Sequence, residues 1–196
     1  MKELEWAAFN SEKIDNNEDT DDSNDNDRVL SLNNRIYFYS EVSRTKILTL
    51  NKGLTKIGAS LQNKANSLNM EETGNIYLHI NSYGGSVFAG FSPVDVVTII
   101  DGCAASAATL MSVVGTKRLM HKHSFMLIHQ LSSWMSGKYA ELQDDMKNND
   151  LLMKTIKDLY EEHTKIPKKQ LSNILKHDLW WDAKKCLEYG LVDEII

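Results

Sequence analysis

From Arg35 onward the chain alternates or clusters its apolar positions in ways that predict a series of short elements. Arg35 to Val42 (RIYFYSEV) alternates and is rich in β-formers, which predicts a strand. Ser43 or Thr45 can cap a following helix to about Ala65, with Ile47, Leu50, Leu54, Ile57 and Leu61 on one face. Strands are predicted at Ile76 to Asn81 (IYLHIN) and Val96 to Asp101 (VVTIID). An alanine-rich apolar helix is then predicted from Ala104 to Val114, stopped by Gly115. Two more strands follow at Lys117 to Met120 and Ser124 to Gln130 (SFMLIHQ). Lys138 to about Lys165 has the period of a long amphipathic helix, with Leu142, Met146, Met153, Ile156 and Leu159 on its inner face. Short helices are expected at Lys168 to Lys176 and Ala183 to Tyr189, the latter closed by Gly190, before a small strand in Leu191 to Ile196. Strands that alternate with helices predict an α/β fold with parallel crossovers.

The N-terminal part has a different character. Asn10 to Arg28 (NSEKIDNNEDTDDSNDNDR) is almost free of apolar residues, and such a run cannot bury enough surface to offset its ordering entropy. A mobile acidic segment over residues 1–30 and a folded domain over 31–196 are therefore expected. Trp6 to Phe9, ahead of that run, are apolar enough to dock. With 42% hydrophobic and 25% charged residues, the whole resembles an ordinary soluble protein. A net charge of -5 argues against nucleic acid as a partner. No apolar run reaches membrane-spanning length and the start is no signal peptide, so no membrane association and a cytoplasmic location are expected. Cys103 and Cys186 lie in apolar stretches and read as small buried hydrophobes rather than a disulfide pair. Nothing has metal-ligand spacing, and no cofactor is expected.

Chemistry is suggested first by Ser106, which follows a strand directly and opens a helix. Unpaired amides at a helix start can stabilise a negative oxygen, and Ala104, Ala105, Ala107 and Ala108 leave room for a carbonyl to approach. Taken alone, Ser106 reads rather as a helix-terminus serine with no function. Gly84-Gly85 ends a strand and can expose backbone N–H groups. His129 closes SFMLIHQ, but His79, His121, His123, His163 and His177 are alternatives by residue type. Asp178 and Asp182 both precede the last helix; Asp182 is the better cap, and nothing local selects the acid of a triad.

Five ordered motifs, IYLHINSYGGSVFAG, DGCAASAATLM, FMLIHQ, EEHTK and WDAKKCLEYGLVDEI, together resemble the proteolytic subunit of the Clp protease family over about Arg35 to Ile196. The resemblance implies a ClpP/crotonase-like fold of stacked parallel strands and crossover helices, with a long handle helix at about 131–165. It places the nucleophile at Ser106, the base at His129, the orienting acid at Asp178, and the oxyanion-hole amides at Gly85 and Ala107. It implies a serine endopeptidase that cleaves unfolded polypeptides inside stacked seven-membered rings of its own kind, fed by a ring-shaped AAA+ unfoldase. The acidic N-terminus would then lie near the axial pore.

Several features depart from the family's pattern. The turn reads SYGGS where S-P-G-G-S is usual, and Leu131-Ser132-Ser133 replaces a proline- and glycine-bearing stretch. Only Ser86 to Val94, with Pro93 inside, separates the glycine turn from the next strand, short of the family's crossover by roughly two helical turns. The N-terminal 30 residues, the SYGGS turn and the Asn- and Lys-rich composition resemble phage-encoded members more than housekeeping ones. The shortened crossover and the N-terminus motivate an alternative, a weakly active or inactive subunit that co-assembles with and modulates another ring. A third reading, action on acyl thioesters as in the wider superfamily, is opposed by the histidine–aspartate pairing.

Overall fold

A computed structural model describes residues 28–87 and 96–196. The expected acidic N-terminal segment, apart from its last residues, and most of the shortened crossover lie outside the described residues.

The described chain opens with a hairpin, β1 (Arg28–Leu32) antiparallel to β2 (Arg35–Tyr39), turning at Asn33 with φ 55°. Alternation alone did not anticipate β1. Asn tolerates the left-handed conformation that tight hairpins need, so Asn33-Asn34 is the local signal for it. Helix α1 (Arg44–Ser67) follows, with the Ser43 hydroxyl accepting from the Lys46 amide. The next strands are β3 (Tyr77–Ser82) and β4 (Val97–Ala105). Helix α2 (Ala107–Val113), β5 (Lys117–Met120) and β6 (Phe125–Leu127) come after them. The long helix α3 (Tyr139–His163), α4 (Lys168–Ile174), β7 (Trp181–Asp182), α5 (Ala183–Glu188) and β8 (Glu194–Ile195) complete the chain.

The main sheet runs β1-β2-β3-β4-β5-β8, parallel throughout except for β1. β4 serves two neighbours in turn. Val97 to Ile100 pair with β5, whereas Cys103 to Ala105 pair with β6, which in turn pairs antiparallel with β7. The switch falls at Gly102, whose φ of 91° is open to glycine and strained for other residues. β4 therefore continues to Ala105, past the Asp101 expected from the sequence, and the helix starts at Ala107 rather than Ala104. Pairing on both edges of residues 103–105 overrides the helix propensity of alanine.

The core gathers Ile36, Phe38, Leu78, Ile80, Ile100, Met120 and Met126 from the strands with Ile47, Leu50, Leu54 and Ile57 from α1. All seven residues of α2 are buried. Leu61 is partly buried, so the expected α1 stripe holds along its length. α3 differs from its expected stripe. Ile156 is buried and Leu142, Met153 and Leu159 are partly so, but Met146 is 52% exposed. Among the described residues α3 packs on α2 and α4, and its C-terminal half carries the buried positions. The apolar period therefore continues beyond the surface that the described residues supply to cover it.

Candidate active site

Ser106 occupies the single residue between β4 and α2, at φ 55° and ψ −128°. A non-glycine residue in such a region costs about 1–3 kcal/mol and persists only where its surroundings enforce it. The enforcing bonds are visible on both sides of the residue. The Ser106 amide donates to the Leu127 carbonyl of β6 at 2.9 Å. Its own carbonyl accepts from the Thr109 amide at 3.0 Å and from the Thr109 hydroxyl at 2.6 Å. A sharp strand-to-helix turn of this kind turns a serine side chain out of the backbone, and the Ser106 hydroxyl caps nothing in its own helix.

Gly84 and Gly85 pass alongside. At Gly84, φ is 98°, and a Cβ would lie 2.6 Å from the Ala105 carbonyl oxygen and 2.6 Å from the Ser106 Cβ. Gly85 has φ 145°, and a Cβ there would overlap the Val42 backbone. Val42 forms a parallel bridge with Gly85. The Val42 amide donates to the Gly84 carbonyl at 2.8 Å, and the Ser86 amide donates to the Val42 carbonyl at 2.7 Å. That bridge leaves the Gly85 amide outside the ladder. The Ala107 amide, at the first position of α2, has no intrahelical acceptor by construction.

His129 lies two residues beyond the end of β6, with its side chain 21% exposed. The Gln130 amide donates to the Leu175 carbonyl at 2.6 Å, tying this segment to the end of α4. In the irregular segment that follows α4, ahead of β7, Asp178 brings its Oδ1 to 3.6 Å from His129 Nδ1, and the Asp178 side chain is 78% exposed. That separation is longer than a hydrogen bond. It sets Nδ1 toward the carboxylate, leaving Nε2 as the free nitrogen. Ser106, His129, Gly85 and Ala107 line one cavity of about 90 Å³, whose apolar walls include Val87, Leu110, Leu131 and Ile156.

The residues singled out from the sequence are thus brought together. Asp182 caps α5 by accepting from the Lys185 amide at 2.9 Å, which removes it from the site. His79 is also excluded. Its Nε2 accepts from Arg35 at 2.7 Å, so its Nδ1–H donates to Asp101 at 2.6 Å, with His121 3.1 Å from the other Asp101 oxygen. Sequence reasoning missed Val42, Thr109 and Tyr160. Val42 was read only as a strand end and Thr109 only as a helix residue. Tyr160 continues the apolar stripe one turn beyond Ile156. The edge-to-face contact of Tyr83 with Trp180, centroids 6.4 Å apart, was also unforeseen; it spans from the glycine turn to the Asp178 segment.

A serine on an enforced strand-to-helix turn, a histidine in the same cavity, a carboxylate behind it and two free amides form a constellation suited to acyl transfer on an α/β scaffold. The chain belongs to the Clp protease family, whose model matches residues 32–196. It is 34% identical over 131 residues to the ATP-dependent Clp protease proteolytic subunit of Porphyromonas gingivalis, covering 62% of this chain and 59% of that protein. Identity to the corresponding subunit of Streptococcus mutans is 34% over 180 residues, covering 81% and 88%. A ClpP1 mutant from Listeria monocytogenes superposes with a TM-score of 0.69 at 24% identity, over 84% of this chain and 91% of that one, which establishes the ClpP fold.

Proposed function

We propose that the chain is the peptidase subunit of a Clp-type assembly, hydrolysing peptide bonds through an acyl-enzyme on Ser106. The observation that carries this reading is the convergence of Ser106, His129, Gly85 and Ala107 on one cavity, with Asp178 on the Nδ1 side of the histidine. In this mechanism Ser106 Oγ bonds to the scissile carbonyl carbon as His129 Nε2 takes its proton. The carbonyl oxygen becomes an oxyanion held by the Gly85 and Ala107 N–H groups. The C–N bond then breaks and the amine leaves with the proton from His129. Water, deprotonated by the same nitrogen, releases the acyl group and restores Ser106. Asp178 steadies the imidazolium in both half-reactions.

Family membership supports the wider reading: stacked rings of this chain, seven subunits each, enclosing the sites and receiving unfolded polypeptide from a ring-shaped AAA+ unfoldase in the cytoplasm. The helical apolar period of α3, continuing where the described residues offer no cover, supports a helix that meets another copy.

Turnover of a fluorogenic peptide and labelling by a serine-directed phosphonate test the chemistry. Ser106→Ala is expected to abolish labelling and to lower kcat by at least about 10⁴-fold. Equal turnover by wild type and Ser106→Ala would sink the proposal.

A further inference from the structure

The Tyr160 hydroxyl lies 2.5 Å from the Thr109 hydroxyl, deep between α3 and α2, where Thr109 is fully buried and Tyr160 is 1% exposed. A threonine that bonds back to its own helix is common, and Thr109 does so to the Ser106 carbonyl at 2.6 Å. A phenol brought from another element to complete the chain is not. Burial also pushes the Tyr160 hydroxyl well above the ordinary phenol range, so it remains a donor. Thr109 has one hydroxyl hydrogen, and the Ser106 carbonyl can only accept. The hydrogen bonds therefore run in one direction, from Tyr160 to Thr109 to Ser106 C=O, and each polarises the next.

The consequence lies at the far side of one peptide bond. The Ser106 carbonyl and the Ala107 N–H belong to the same planar unit and point in opposite directions. A bond that fixes the carbonyl on the Thr109 side therefore fixes the direction of the Ala107 amide, which lines the cavity together with Ser106 and Tyr160. We propose that Tyr160 and Thr109 are positioning residues that aim the Ala107 N–H at the oxyanion, coupling the long helix to the catalytic turn. The inference rests on the acyl-transfer reading of this site and adds two residues that neither touch the reacting atoms nor stand out in the sequence.

An oxyanion exists only on the way to and from the transition state, so the effect belongs to kcat. Peptide turnover is measured for the full chain and for Thr109→Val, Thr109→Ser, Tyr160→Phe and the Thr109→Val/Tyr160→Phe pair. Thr109→Val is expected to lower kcat by about 10–30-fold and Tyr160→Phe by about 5–10-fold, with KM within about twofold. Thr109→Ser, which keeps the hydroxyl, is expected within about threefold of wild type, and the pair no worse than Thr109→Val. Unchanged kcat in Thr109→Val, a loss carried by KM, failure of serine to rescue, or a pair that multiplies the single losses overturns the proposal.

Hydrogen exchange of the Thr109 amide, bonded to the same Ser106 carbonyl, reads the clamp without turnover. Tyr160→Phe is expected to speed this exchange severalfold, and an unchanged rate overturns the clamp on its own. A wild-type chain with no turnover and no phosphonate labelling would instead overturn the acyl-transfer reading, leaving exchange to decide the clamp.

Discussion

Replacing Gly84 with alanine tests whether the backbone beneath the nucleophile, rather than its side-chain neighbours, holds the site in shape. The new Cβ would lie 2.6 Å from the Ala105 carbonyl oxygen, 2.6 Å from the Ser106 Cβ and 3.1 Å from the Ala107 nitrogen. All three are backbone atoms or anchored to it, so no flexible side chain can move aside. Relief requires the turn to shift by about 0.5–1 Å, the scale at which a misplaced catalytic group loses roughly 10²-fold in rate. The φ of 98° adds about 1–2 kcal/mol for a residue with a Cβ, and overpacking adds about 1–3 kcal/mol. A total of about 2–5 kcal/mol corresponds to a Tm lower by roughly 4–20 °C in a chain of this size. Gly190→Ala is the matched control. It carries φ 68° and a Cβ 2.7 Å from Lys165 Cγ and 3.0 Å from the Lys165 amide nitrogen, away from the cavity. Both variants should melt early, but kcat/KM, measured well below either Tm, should fall about 10²-fold only in Gly84→Ala. Wild-type kcat/KM in Gly84→Ala, or an equal loss in Gly190→Ala, would refute the reasoning.

Three further outcomes follow from the same structure. Asp178→Asn is expected to lower kcat by about 10–10²-fold, much less than Ser106→Ala, because the carboxylate is largely exposed and 3.6 Å from the ring; peptide kinetics decide it, and a loss equal to that of Ser106→Ala would contradict it. Arg118 holds the Asp193 carboxyl below its ordinary value of 3.8 through bonds to both oxygens, so this carboxylate stabilises the fold above about pH 4 and the contribution fades as pH falls through the lowered value. The Tm gap between wild type and Asp193→Asn should accordingly be widest near neutral pH and narrow toward pH 3. Burial pushes the Cys186 thiol up to about 12, so iodoacetamide at pH 8 should leave it unmodified in the native chain and modify it after unfolding, as read by mass spectrometry.

The elements that periodicity could reveal were those whose burial is one-sided. The stripe of α1 and the alternation of strand 35–39 arise because one face meets the core, and both stand within a few residues of expectation. Boundaries failed where pairing, not patterning, decides the conformation. Ala104 and Ala105 have helical propensity but two strand neighbours, and β1 follows directly on the acidic run and is fixed by its pairing with β2. Met146 failed for a third reason, since a periodic apolar position is only buried if something is there to bury it. In the site, Ser106, His129, Asp178, Gly85 and Ala107 could be named because the motifs are ordered along the chain. Thr109 and Tyr160 could not, because their significance is one hydrogen bond between elements 51 residues apart.

Each part of the site is anchored by a backbone bond to a different element. Ser106 is tied to Leu127 at the end of β6, the glycine turn to Val42 beyond β2, and the His129 segment to Leu175 at the end of α4. No side chain in these anchors chooses the geometry; the ladder ends do. Core truncations that leave both the ladders and the Tyr160–Thr109–Ser106 bonds in place should therefore reduce stability without redirecting the catalytic groups. Changes that alter backbone conformation at residues 84, 85 or 106 should disable the chemistry in a chain that still folds. By that asymmetry the catalytic chemistry is expected to be most sensitive to substitution at two glycines and a serine held at positive φ. Each has a conformation that most residues avoid, imposed by neighbours from another part of the sequence.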